Sequence, residues 1–166
     1  MERSQCYIGA PNGAVLCVDR VWRDQFIGRL YHSYSSEALR VEGMQLLFEL
    51  ERFYDAINFP YPATNQRTFQ HVKRNIRSKE GKEKKMSEDE LLSKHGDLGT
   101  FIIRVQHRQN SSWQGRITWM DKNETIHFRS IWEMIKLIAS ALDTVSEQEG
   151  YGEESWTEEQ GEQITG

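Results

Sequence analysis

The chain is poor in the residues from which most functional signatures are built. Its 166 residues include only two cysteines, Cys6 and Cys17, too few for a disulfide framework and not spaced as metal ligands, so a reduced compartment is expected. There is no apolar run of membrane-spanning length, and MERSQCYIGA lacks the apolar core of a signal peptide; a cytoplasmic protein with no membrane partner is expected. No Gly-rich phosphate loop, His-x-Glu zinc signature or Gly-x-Ser-x-Gly elbow is present, which removes the sequence support for the best-marked enzyme classes. The net charge of −4 gives no overall electrostatic case for a polyanionic partner. In that setting Asn110-Ser111-Ser112 and Asn123-Glu124-Thr125 read as chance glycosylation sequons.

What the chain does have is core material and unevenly placed charge. Hydrophobic residues make up 37%, with seven Phe, six Tyr and five Trp, enough for one domain or two very small ones. From Arg67 to Lys85 there are eight basic and two acidic residues; from Glu147 to Glu162 there are seven glutamates and no Lys or Arg.

An internal repeat organises the rest. Laying Gly28-Arg29 on Gly115-Arg116 sets an offset of 87 residues. Without a gap, the same offset pairs Val15 with Ile102, Leu16 with Ile103 and Val18 with Val105. It then pairs Phe26 with Trp113, Leu30 with Ile117, Leu39 with Ile126 and Val41 with Phe128. Met44, Leu47, Phe48 and Leu50 fall on Ile131, Met134, Ile135 and Leu137. An ungapped match through strand-like and helix-like stretches points to duplication.

Each copy reads as three short strands and a helix. FIIRVQH places Phe101, Ile103 and Val105 on one strand face. WQGRITWM places Trp113, Gly115, Ile117 and Trp119 on one face and Gln114, Arg116 and Thr118 on the other. Trp113, matched by Phe26, is expected in the core. Ser130 and Glu133 form a capping box ahead of Ile131, Met134, Ile135, Ile138, Ala139 and Leu142, an apolar stripe at helical spacing. In the first copy Gly43 stands at the cap, and the apolar face is expected at Leu47, Leu50, Tyr54 and Ile57.

The expected fold is therefore α+β, with tandem strand-strand-strand-helix repeats forming an antiparallel sheet and both helices on one face. Two separate lobes are the alternative; the continuous sheet is favoured because it removes two exposed edges. Residues 1–60 form the first unit and 100–143 the second. Between them, 61–99 is a basic linker with a short helix in SEDELLSKHG, capped by Ser87 and ended by Gly96. Residues 144–166 form an acidic tail too poor in apolar surface to order on its own.

At SSWQGRITW and FRSIWEMIKLIASALD the chain resembles a family of small bacterial proteins that share a Trp-Gln-Gly strand and a Phe-Arg-Ser-initiated, leucine-rich helix. Trp113, Gln114, Gly115, Trp119, Phe128, Arg129 and Ser130 carry the likeness, which spans about Thr100 to Asp143. GRLYHSYSSEALRVEG and INFPYPAT are similar to companion proteins of the same bacteria. The resemblance implies the fold and no catalytic residue or cofactor. Ile131-Trp132 departs from the family's smaller residues at that place, which suggests an exposed Trp132.

The five histidines are scattered; His107 and His127 lie on nearby expected strands, with Cys17 or Asp121 as candidate neighbours, but read as surface neighbours rather than a metal or acid–base pair. Asp19 reads as a solvated carboxylate. With no nucleophile, base or metal cluster to argue from, the chain is expected to be a non-enzymatic binding or regulatory module acting on a protein partner. Its recognition residues would be Arg29, Gln114, Arg116, Trp132 and Trp156. One alternative is an RNA- or DNA-binding accessory protein using Lys73, Arg74, Arg77, Arg104 and Arg108. Another is a small, anti-CRISPR-like inhibitor of a nucleic-acid enzyme with the acidic tail as bait.

Overall fold

The computed structural model describes residues 8–62, 69, 83–108 and 112–148. Six strands form one antiparallel sheet: β1 (Ala14–Trp22), β2 (Gln25–His32), β3 (Leu39–Glu42), β4 (Gly99–His107), β5 (Gln114–Trp119) and β6 (Glu124–Phe128). They lie in the order β3-β2-β1-β4-β5-β6, so the continuous sheet is the arrangement adopted. Helix α1 (Gln45–Ile57) follows β3, α2 (Glu88–Leu92) precedes β4, and α3 (Ile131–Gln148) follows β6.

The register is internally matched at the 87-residue offset. The pair Ala14–Ile103 becomes Phe101–Leu16, which is also a pair, and Val15 maps onto Ile102, its own partner. A local twofold axis therefore passes between Val15 and Ile102. Each half also bends in the same place: β1–β2 carries a bulge between Val18 and Arg20, and β4–β5 carries one between Val105 and His107. A bulge leaves one residue unpaired and tightens the local twist, so Asp19 and Gln106 occupy equivalent unpaired positions. Beside each bulge the neighbouring strand comes too close for a side chain. A Cβ on Gly28 would lie 2.3 Å from the Cys17 carbonyl oxygen, and one on Gly115 would lie 2.0 Å from that of Arg104.

Alternation then sorts the side chains. Leu16, Val18, Leu30, Phe101, Ile103, Val105, Trp113 and Ile117 face α1 and α3, which contribute Leu46, Leu50, Phe53 and Tyr54, and Met134, Ile138, Ala141 and Leu142. The two long helices thus share one face. Val15, Cys17, Tyr31 and Ile102 point the other way and are covered by Ile8, Met86 and Leu91. The short helix and the segment before β1 therefore close the opposite face, and Ile8 N donates to the Glu88 carboxylate at 2.6 Å.

The helices depart from the ungapped match by one residue. Leu46, Leu50, Phe53 and Tyr54 correspond in burial to Met134, Ile138, Ala141 and Leu142, an offset of 88. Met44 and Phe48, laid on Ile131 and Ile135 by sequence, are instead 58% and 65% exposed. Half of the expected capping box forms: the Glu133 N–H donates to Ser130 Oγ at 3.1 Å, but the Glu133 carboxylate accepts from Arg129 at 3.0 Å. Ser87 caps α2, accepting from the Glu90 N–H, and that helix stops at Leu92 with Ser93 as its C-cap, before Gly96.

Candidate functional site

Four of the nominated residues lie on the sheet face opposite α1 and α3, because Arg29, Arg104, Gln114 and Arg116 alternate with the core residues of their strands. In the first half the cross-strand pair is Cys17–Arg29. Arg29 is half-buried and its guanidinium is engaged within the protein: it donates to both Asp19 oxygens, at 2.8 and 3.0 Å, to the Tyr31 hydroxyl at 2.7 Å and to the His95 carbonyl at 2.8 Å. This bidentate hydrogen bond, helped by the Asp97 N–H, keeps the Asp19 carboxyl below its ordinary value. Asp19 is therefore a partnered group and not a solvated one. Burial pushes the Cys17 thiol up to about 11, so at neutral pH it stays protonated and is a poor nucleophile.

In the second half the equivalent pair is Arg104–Arg116. Two like charges directly opposite one another in a sheet are unfavourable. The position that carries Asp19 in the first half carries Gln106, which is uncharged. Arg104 donates to Thr118 Oγ1 at 2.9 Å, and that hydroxyl is 2.8 Å from Thr125 Oγ1. Arg116 Nε is buried without a hydrogen-bond partner, and among the described residues no carboxylate forms an ion pair with Arg116. Both arginines open onto a pocket of about 290 Å³ whose other walls include Ile8, Asn12, Phe59, Val105 and Gln106. The Asn12 amide is fixed by its hydrogen bond to the Val105 carbonyl, and Phe59 is 43% exposed at the rim. Chemically this is a cationic, partly apolar recess suited to one anionic group.

The other nominated residues lie apart from this recess. Gln114 is half-buried opposite His107 in the β4–β5 register. Trp132 is 66% exposed with the Lys136 ammonium 5.3 Å from its ring centre, but it sits on α3, across the sheet from the arginine pair. Arg108 is inside the protein: it is 5% exposed, donates to the Pro60 carbonyl at 2.7 Å and to Asp55 at 2.9 Å, and lies over the Tyr54 ring. Its role is to tie β4 to the exit from α1, and it offers no surface charge to a phosphate. Lys73, Arg74, Arg77 and Trp156 lie outside the described residues, as do most of the basic linker and the acidic tail after 148. His107 and His127 are both exposed, and among the described residues no group of three or more His, Cys, Asp or Glu gathers as metal ligands.

Sequence reasoning missed Gln106, Asn12 and Phe59. Gln106 was within reach, because the 87-residue offset lays it on Asp19. Asn12 and Phe59 carry no such signal; they come to the pocket from segments remote in the chain. Among the described residues no helix is long and apolar enough to cross a membrane. Comparison with protein-family models, with curated proteins and with solved structures finds no match for the chain.

Proposed function

We propose that the chain is a non-enzymatic binding module that takes an acidic side chain or chain terminus of a protein partner into the Arg104–Arg116 recess. A single observation carries this reading: among the described residues Arg116 has no counter-ion, where its equivalent, Arg29, has Asp19. A carboxylate would receive charge-assisted hydrogen bonds from Arg116 there. The recess favours a protein over a nucleic acid because it offers one enclosed cationic pair with apolar walls. A polyanion gains affinity from many phosphate contacts along a groove. The same reading takes the two halves as copies of one unit, places the protein in the cytoplasm, and assigns the family resemblance of the second half to the scaffold rather than to the recess.

The test compares capture of proteins from a nuclease-treated native lysate by the wild type, Arg116→Ala and Gln106→Asp. The second variant supplies the carboxylate that the second half lacks. Losing charge-assisted hydrogen bonds of about 1.5–3 kcal/mol should weaken a genuine partner by about 10- to 150-fold, so a partner lost from both variants supports the reading. A partner that survives both changes refutes it. So does binding to RNA or DNA that falls steeply with salt and replaces protein capture.

A further inference from the structure

We infer that the second half also carries a binding site for a small planar aromatic amine, in the gap between α3 and strands β5 and β6 that the first half fills with Phe53. The argument is independent of the arginine recess, which opens on the other face of the sheet.

In the first half the Phe53 ring stacks on His32 with centroids 3.9 Å apart and planes 11° from parallel. Phe53 is 4% exposed. The strand offset takes His32 to Trp119, and the burial pattern of the helices takes Phe53 to Ala141. The second half thus has the aromatic platform but only a methyl group where the stacked ring springs from the helix. Phe101 compensates in part, but its ring centre is 6.4 Å from that of Trp119. A pocket of about 200 Å³ remains, with Ile117, Trp119, Ile126, Leu137 and Ala141 among its walls. An apolar cavity of roughly 150 Å³ is enough to hold benzene, so a single ring fits.

The polar groups at the pocket select the rest of the ligand. The Ser140 hydroxyl donates to the Leu137 carbonyl and the Thr144 hydroxyl to the Ser140 carbonyl, each at 2.9 Å. Both hydroxyls are left with acceptor capacity alone. Glu124 is also an acceptor, while the indole N–H of the lining residue Trp119 is a buried donor without a hydrogen-bond partner. An ammonium group suits these acceptors and a carboxylate is repelled by Glu124.

Phenethylamine is the probe, titrated against the full chain and followed through the indole N–H resonances of the five tryptophans. The Trp119 signal, assigned with Trp119→Phe, should shift saturably in the millimolar range. Ala141→Phe, which restores the ring the first half has, should abolish that shift, and Ala141→Leu serves the same purpose if the larger residue prevents folding. 3-Phenylpropionate, with the same ring and the opposite charge, should bind about fivefold more weakly or worse. Glu124→Gln should narrow that gap. The proposal is overturned by the absence of a saturable Trp119 shift, by a shift that persists in the Ala141 variants, or by equal binding of the amine and the carboxylate.

Discussion

Arg29 and Arg116 occupy the same place in two halves built on the same strand order, the same bulge and the same close glycine, yet their surroundings have opposite electrostatic outcomes. Arg29 faces Cys17 across the strands and has Asp19 on the bulge beside it. Arg116 faces Arg104 and has Gln106 on its bulge. One half spends its guanidinium on internal structure, and the other leaves the Arg116 Nε buried without a hydrogen-bond partner. The helices repeat the contrast in apolar terms, Phe53 filling the space that Ala141 leaves open. In both respects the first half is closed on itself and the second is open, which is why both candidate sites lie in the second half.

The most severe way to break this contrast is to open the closed half. Phe53→Ala removes a buried ring stacked on His32 and should cost about 4 kcal/mol, seen as a lower urea midpoint. Ala141→Phe, its converse, enters an existing pocket and should leave that midpoint nearly unchanged. The shared scaffold comes next. Gly115→Ala and Gly28→Ala each force a methyl group against a backbone carbonyl that cannot swing aside, and each should cost about 3 kcal/mol. Gly115→Ala should be the worse of the two, because its approach of 2.0 Å is shorter than 2.3 Å.

A smaller effect is expected from the Arg29–Asp19 pair, whose side chains are 36% and 28% exposed and which contributes about 1 kcal/mol. Because Asp19 is held below its ordinary value of 3.8, this contribution is fully present at neutral pH. It begins to fall near the ordinary value and is lost as pH drops through the folded one. The difference in stability between wild type and Asp19→Asn should therefore be constant from pH 7 downward and shrink below about 4; a difference that grows on acidification would contradict the pairing. The smallest change is chemical. Cys17, buried and with its thiol pushed up to about 11, should resist a thiol reagent at pH 8 until the protein is unfolded.

Most of the strand architecture was readable from residue order. The 87-residue offset placed matched apolar residues in all six strands, and Ser130 and Ser87 marked the starts of two helices correctly. The one-residue slip in the helices was not readable, since Leu46 and Leu47 are equally apolar and only packing against the sheet selects the first. Of the recess, the sequence offered Arg104 and Arg116 as separate candidates on adjacent strands, assigned to different hypotheses. Their facing register, and the burial of Arg108 just past the end of β4, depend on pairing that no local pattern encodes.

The sequence by itself determined the strand-strand-strand-helix order, the faces of β4 and β5 and the positions of the two close glycines, because period-two alternation and capping are local chemistry. Only the tertiary structure decided that the halves share one sheet about Val15 and Ile102, that α2 closes the opposite face, and that Asp19 neutralises Arg29 while the uncharged Gln106 stands at the equivalent place beside Arg116. Those outcomes rest on contacts between residues distant in the chain, whose energies depend on register and burial rather than on residue type.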